Sequence, residues 1–488
     1  MATDYGKQLY RQLEEVIKKL EKITKENAEL KDTIKELGKI IKEKDEKIEK
    51  LLEEIDRLKN NKNKNSTNSS KPSSSNYITP KKKSGANIYN YRVKTNNKIG
   101  GQMGHIPHNL TKEKIENIIR EKKLKVRKIT HIINGNPNKK PIIKYRVGME
   151  IITYVEKHIF KYDRNSKQKL PKEFYTDVTY DNSIKALSIE LGTNNVVSYE
   201  RMGDFFNIIT NNTLTISNGT LVNFLYEFGN KSKETINNLE ENLLNSKSIY
   251  TDETGSKFNK KNIYVRNYSN NNTALYKANR HKGHKPIIDD NILPRFHGGI
   301  MGDHDTTLYS YGTNNYECNI HLGRYLEELI QNIPNILWAG KMKELIFRMN
   351  NTRKIAMTYG VTSFEKEKLD EYEYAYDKII LLAKEENKQI KSSYYKDKAK
   401  QLLNRLIKYK KNHLKFIYDF EIPFDNNLSE QDLRIFKIKT KVSGGFRSKK
   451  GIDNFVKALS IIKTSKKRNI NPFDSIKRIF NNEILFAN

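Results

Sequence analysis

Residues 13–58 repeat apolar side chains at alternating spacings of three and four, a period that leaves few folds open to them. With Leu13, Leu20, Asn27, Ile34, Ile41, Ile48 and Ile55 at a positions, Val16, Ile23, Leu30, Leu37, Lys44, Leu51 and Leu58 fall at d, and Lys and Glu fill the outer faces. A solvated single helix has no reason to keep that seam. The stretch predicts a coiled coil of roughly 70 Å at ~1.5 Å per residue. Ile mostly at a with Leu mostly at d favours two parallel strands, and the buried amide of Asn27 fixes register and partner number at some loss of stability. Residues 1–59 are therefore expected to form a homodimer.

The remaining chain changes texture several times. From 60 to 86 it reads NNKNKNSTNSSKPSSSNYITPKKKSGA, polar and aperiodic, a flexible basic linker that cannot bury enough apolar area to offset chain entropy. Its Lys81, Lys82 and Lys83 are either a solubilising tether or an arm that contacts phosphates. Residues 87–175 predict a small basic module whose run IIKYRVGMEIITYVEKHIFKY alternates as β-strands do. Residues 176–245 are helical, with two short helices around a polar turn and Ser217 placed to cap the second, a spacing that permits a helix-turn-helix. Residues 246–321 alternate strand-like runs with a helical piece. Residues 322–415 are almost wholly helical, and 416–488 return through a polar loop to a helix and tail.

At 488 residues the chain exceeds one ordinary core, so several structural units are expected in a multidomain α/β protein. Its 90 Lys and Arg against 58 Asp and Glu give a net charge of +32, far beyond what solubility requires, which points to a polyanionic partner and first of all to nucleic acid. No apolar run approaches the ~18 residues of a membrane span, so no membrane role is expected. The N-terminus lacks a secretory apolar region, and one cysteine, Cys318, supports neither a disulfide framework nor a multi-thiolate zinc finger. A reducing bacterial cytoplasm is the expected compartment.

Asp252 and Asp303 each stand at the end of a predicted strand, and Glu430 stands on a predicted helix. Carboxylates converging from such positions suit hard Mg²⁺ or Mn²⁺, which keep open sites for phosphate and water, and three of them complete a two-metal site for in-line phosphoryl transfer. Taken singly, each is one of 58 acidic residues and is more often a surface charge than a metal ligand. Past Glu430, Arg434 lies one helical turn on, where it can pair with the carboxylate or grip a phosphate. Lys437, Lys439, Lys441, Arg447 and Lys449 then interleave with Phe436 and Phe446, as a strand or loop following a DNA backbone would, or as a solvated basic face would.

The segments TDETG around Asp252, GGIMGDHD around Asp303, ECNIHLGRYL after it and FDNNLSEQDLRIFKIKTKVSGGFRSKKG around Glu430 together resemble the insertion sequence 66 family of bacterial DDE transposases. GGQMGHIPHNL at 100–110, the Ser- and Pro-rich linker and the N-terminal coil extend the resemblance over essentially the whole chain. The resemblance implies an RNase H-like catalytic core interrupted by an all-helical insertion, with Asp252, Asp303 and Glu430 matching the catalytic, metal-holding triad. Asp305 rivals Asp303, but it falls where a helix would begin and suits a cap. Glu253 points away from Asp252 if the strand continues. Cys318 and His321 match the family's CxxH, incomplete as a zinc site and better suited to a helix start or a contact with the DNA end. His304 either steers a scissile phosphate or packs inside. Residues 87–175 occupy the position of the family's zinc module without a cysteine, so no zinc is expected.

The implied activity is binding of element ends and target as double-stranded DNA by a dimer, with or without accessory proteins of the same element, followed by metal-dependent strand cleavage and transfer by two ions per site. The alternatives are a domesticated protein that binds without cutting and an RNase H-like nuclease that cuts without joining.

Overall fold

The computed structural model describes residues 2–65, 68–69, 111–122 and, with short gaps between 123 and 173, the chain onward to 487. Lys81, Lys82 and Lys83 and most of the linker lie outside the described residues. The chain divides into two compact units. One comprises residues 1–84 and 297–427, the other residues 85–296 and 428–488.

The first unit begins with helix α1 (Ala2–Asn63). Its a and d residues face solvent within this single chain, Leu20 at 57% and Ile34 at 66% exposure. The helix runs further than the sequence suggests. Residues 60–63 are helical where a linker was expected, because Asn60 is buried and its Nδ2 donates to Glu328 Oε1 (2.8 Å) and Tyr394 OH (3.1 Å).

In the second unit come α2 (Lys112–Lys122), α3 (Asn182–Thr193), α4 (Tyr199–Ile209), α5 (Asn218–Lys231) and α6 (Lys233–Leu244). Ser217 caps α5 by accepting from Thr220 N, and Met202, Phe206, Ile216, Leu221 and Phe224 form a small core between α4 and α5. The connection between α4 and α5 spans 210–217, longer than the ~3–4-residue turn of a helix-turn-helix. The strands expected in the basic module do not occur among the described residues 143–147 and 151–161. Alternation there finds no partner ladder, and Ile152 and Val155 remain 77% and 93% exposed.

Three antiparallel strands follow, β1 (Ser248–Phe258), β2 (Lys261–Ser269) and β3 (Ala274–Asn279), with β2 in the middle. Asn259 and Lys260 both take positive φ, as a two-residue hairpin turn that matches strand twist demands. After α7 (His284–Asp290) the chain passes to the first unit, where β4 (Gly299–Gly302) and β5 (Asn314–Glu317) pair in parallel. Helices α8 (Asn319–Asn332), α9 (Trp338–Thr358), α10 (Lys366–Lys388), α11 (Ser393–Lys408) and α12 (Lys410–Tyr418) come next, packed around buried Trp338, Tyr372, Tyr376 and Phe416.

The chain closes in the second unit with α13 (Asn427–Ser443), α14 (Lys449–Lys467) and α15 (Pro472–Phe480). Helix α14 is buried along most of its length and packs on the sheet with Ile452, Phe455, Val456 and Leu459. It also covers the outer edge of β3. Thr464 Oγ1 and Ser460 Oγ each accept from a strand amide, Ala274 N and Tyr276 N at 3.0 Å, so the edge offers no open ladder there.

The SGGFRS segment is explained by packing. Phe446 exchanges backbone hydrogen bonds with Lys257 and Asn259 at the hairpin tip, and its ring stacks on Phe436 at 5.8 Å. Gly445 sits at φ +128°, where a Cβ would lie 2.5 Å from the Lys257 carbonyl oxygen. Gly445→Ala is expected to lower stability by about 3 kcal/mol, read as a fall in melting temperature of the whole protein. An unchanged melting temperature would remove this role.

Candidate active site

Asp252 is the fifth residue of the eleven in β1 rather than a strand-terminal one. The strand continues because Gly255 stays in register with Tyr264. Opposite Asp252 on β2 is Asn267, fully buried. Its Oδ1 accepts from the Asp252 backbone N–H (3.0 Å) and from Ser429 Oγ (2.7 Å), while its Nδ2 donates to Ser269 Oγ (2.9 Å). One amide thus ties the middle of β1 to the first turn of α13, where Glu430 lies beside Ser429. The rotation of α13 is fixed further along by Tyr276 OH donating to Asp432 O (2.9 Å) and by the buried Lys467–Asp432 ion pair (2.8 Å). Glu253 faces the other way, paired with Arg266 at 3.1 Å and Lys282 at 3.3 Å.

Asp303, in the first unit, is the first residue beyond β4. Asn426 Nδ2 donates to its Oδ1 at 3.0 Å, and His321 Nδ1 lies 3.3 Å from the same oxygen. Cys318 caps the start of α8, and its buried sulfur accepts from Asn426 N and lies 3.3 Å from His321 Nδ1. Asp303, Cys318 and His321 bring their ligand atoms within 4.8 Å of one another. Burial opposes charge on the His321 ring, but hydrogen bonds to Asp303 and Cys318 outweigh it and push its pKa up to about 10. Arg324 Nη1 lies 3.0 Å from His321 Nε2. Burial raises the pKa of the Cys318 thiol, against the pull of His321. Asp305 accepts from Thr307 N (3.0 Å) and caps the short 3-10 turn Thr306–Ser310.

His304 does not offer its ring to a phosphate. The side chain is 3% exposed, on a backbone with φ +60°, and lies against His413, Tyr325 and Glu317. Burial first, then His413 and Arg405, hold its pKa well below the ordinary imidazole value. Burial likewise takes His413 down to about 3 and lifts Glu317 to about 7, the latter against the pull of Arg405.

The basic residues after Glu430 do not form one strand or loop. Arg434, Lys437 and Lys441 recur at helical spacing and are exposed on α13. Lys439, half-buried between them, turns over the rings of Phe455 (5.8 Å) and Tyr199 (6.0 Å), where burial lowers its pKa. Lys449 begins α14 and donates to Ala278 O (3.1 Å) and Asp453, while Arg447 is exposed. A periodic stripe became two faces because residues 437–441 are helical, which turns alternate side chains to different sides.

Asn267 and Asn426, the residues that hold Asp252 and Asp303, were missed by reading the sequence for charge. The available signal was an asparagine in a strand interior, where that residue is depleted, and the first asparagine of the FDNN run.

A strongly basic α/β chain with these carboxylates held on β1, after β4 and on α13 has the parts of a DNA-acting enzyme. The model of the transposase IS66 family matches residues 178–454, more than half of the chain and the part that holds Asp252, Asp303 and Glu430. The chain belongs to that family and is a transposase. No curated protein matches it. Among the described residues no helix is long and apolar enough to cross a membrane.

Proposed function

We propose that this chain is a DDE transposase with an RNase H-like catalytic core that binds the ends of its mobile element as a dimer and catalyses strand cleavage and strand transfer in the bacterial cytoplasm. Asp252, Asp303 and Glu430 hold two Mg²⁺ or Mn²⁺ ions. The donor set fits hard cations, since it is all carboxylate oxygen. The observation that supports the reading is Asn267, whose one carbonyl oxygen accepts from both Asp252 N–H and Ser429 Oγ and so ties the backbone of Asp252 to the residue before Glu430. When bound, such ions supply a nucleophile at neutral pH and neutralise charge building on the phosphate.

The chain's own part is positioning. Asn267 and Asn426 fix Asp252, Ser429 and Asp303. Arg434, Lys437, Lys441 and Arg447 offer exposed cations to phosphates, which sets register without reading sequence. Helix α1 pairs with a second copy through its exposed a and d residues. Water attacks first, then the freed 3′-hydroxyl attacks target DNA, so no enzyme–DNA covalent bond is needed.

The test is an assay of cleavage and joining on labelled element ends in different ions. Mg²⁺ or Mn²⁺ should support both steps, and Ca²⁺ should permit assembly with little turnover because its longer, looser coordination misplaces the nucleophile. Equal rates in Ca²⁺ would contradict a two-metal site. Cutting without joining would move the protein to the nucleases.

A further inference from the structure

We propose that His304, Glu317 and His413 form a second metal site, for a borderline transition-metal ion of the zinc class bound through two imidazoles, one carboxylate and water. The residues come from the segment after β4, the end of β5 and helix α12, all in the first unit. Their ligand atoms lie within 4.8 Å of one another. His413 is fully buried and neither of its ring nitrogens has a hydrogen-bond partner, while the His304 ring, its side chain 3% exposed, meets the Cys318 backbone and has no side-chain hydrogen bond. His304 Nε2 and Glu317 Oε2 are 2.7 Å apart yet not aligned as a hydrogen bond. Buried polar atoms left this way are rare and ask for an occupant.

The surroundings hold the three residues in place. Glu317 uses Oε1 for Tyr309 OH and for Arg405 (3.0 Å), which leaves Oε2 turned toward the two imidazoles. Arg405 also donates to the His304 carbonyl oxygen at 3.0 Å, and Asn319 Nδ2 donates to the His413 carbonyl oxygen at 3.0 Å, so both histidine backbones are held. The positive φ of His304 is a strained conformation for a residue with a Cβ, and it directs the ring inward. Two histidines and one carboxylate with a water in the fourth position is a donor set suited to zinc, whereas Mg²⁺ prefers oxygen alone. Because His304 follows Asp303 directly, an ion here would clamp the backbone that carries Asp303 to the helical segment.

The test strips full-length protein with a chelator, restores millimolar Mg²⁺ to occupy the hard-cation positions, and titrates Zn²⁺, with Co²⁺ as the spectroscopic substitute. One Zn²⁺ per chain is expected, retained in Cys318→Ser and lost in His413→Gln and Glu317→Gln. Co²⁺ should give tetrahedral visible bands without a thiolate charge-transfer band. Zn²⁺ should raise the melting temperature of the wild type and not that of His413→Gln. If His413→Gln fails to fold, Tyr309→Phe decides, with ~10-fold weaker Zn²⁺ binding expected from loss of an outer-shell partner. Wild-type protein that binds no Zn²⁺ at micromolar free ion overturns the proposal, as does unchanged binding in both His413→Gln and Tyr309→Phe. Loss of the ion in Cys318→Ser would assign it to Asp303, Cys318 and His321 instead.

Discussion

Asp252→Asn, Asp303→Asn and Glu430→Gln should each reduce strand cleavage and joining by about three orders of magnitude or more, ~4 kcal/mol of transition-state stabilisation, with element-end binding nearly intact. The separation is expected because metal coordination and phosphate affinity are independent contributions, the second carried by basic side chains. The amides preserve shape. Asn at 252 can still accept from Glu253 N, as Asp252 Oδ1 does at 2.7 Å, so a folding defect is not the expected cause of the loss. Asp305→Asn serves as the control. Its carboxylate caps the Thr306–Ser310 turn, and its replacement should lower stability by at most ~1 kcal/mol while activity survives. A gel assay of cleavage beside a mobility-shift assay checks all four variants. Joining that persists in Asp303→Asn and disappears in Asp305→Asn would transfer the role.

Deleting residues 1–59 should leave a chain that binds a single element end but joins two ends at less than about one hundredth of the normal rate, since pairing through α1 replaces a bimolecular encounter by a high effective concentration. The seam is long enough for this, with Leu13, Leu20, Ile34, Ile41 and Ile48 all more than half exposed in the single chain. Asn27→Ile should strengthen the coil and relax its partner number toward trimers, because a buried amide is tolerated mainly between two chains. Sedimentation of the peptide 1–60 measures the pairing itself. A monomer at tens of micromolar would remove α1 from synapsis, and trimers of the unaltered peptide would overturn the parallel dimer.

What the sequence disclosed depended on whether a residue's meaning was local. The heptad in α1, the Ser217 cap of α5 and the helices from α8 to α12 rest on near-neighbour spacing and were legible. Strand β5 was not, since Asn314–Glu317 has little strand propensity and is ordered by parallel pairing with β4. The extent of β1 was misread: Asp252 was placed at a strand end, whereas pairing with β2 carries the strand on to Phe258. Lys439 looked like part of a DNA-facing stripe, but helix rotation in α13 lays it over Phe455. Asn267, Asn426 and the His304, Glu317 and His413 cluster acquire their roles from partners distant in sequence, which no local pattern encodes.

The most direct measurement of the central claim is metal rescue of Asp252→Cys, Asp303→Cys and Glu430→Cys. A thiolate is a poor ligand for Mg²⁺ and a good one for softer ions. If the three side chains hold the catalytic ions, each variant should be inactive in Mg²⁺ and recover strand joining in Mn²⁺ or Cd²⁺, while the wild type works in Mg²⁺. Variants that join DNA normally in Mg²⁺, or whose loss no softer ion restores at any of the three positions, would contradict the assignment.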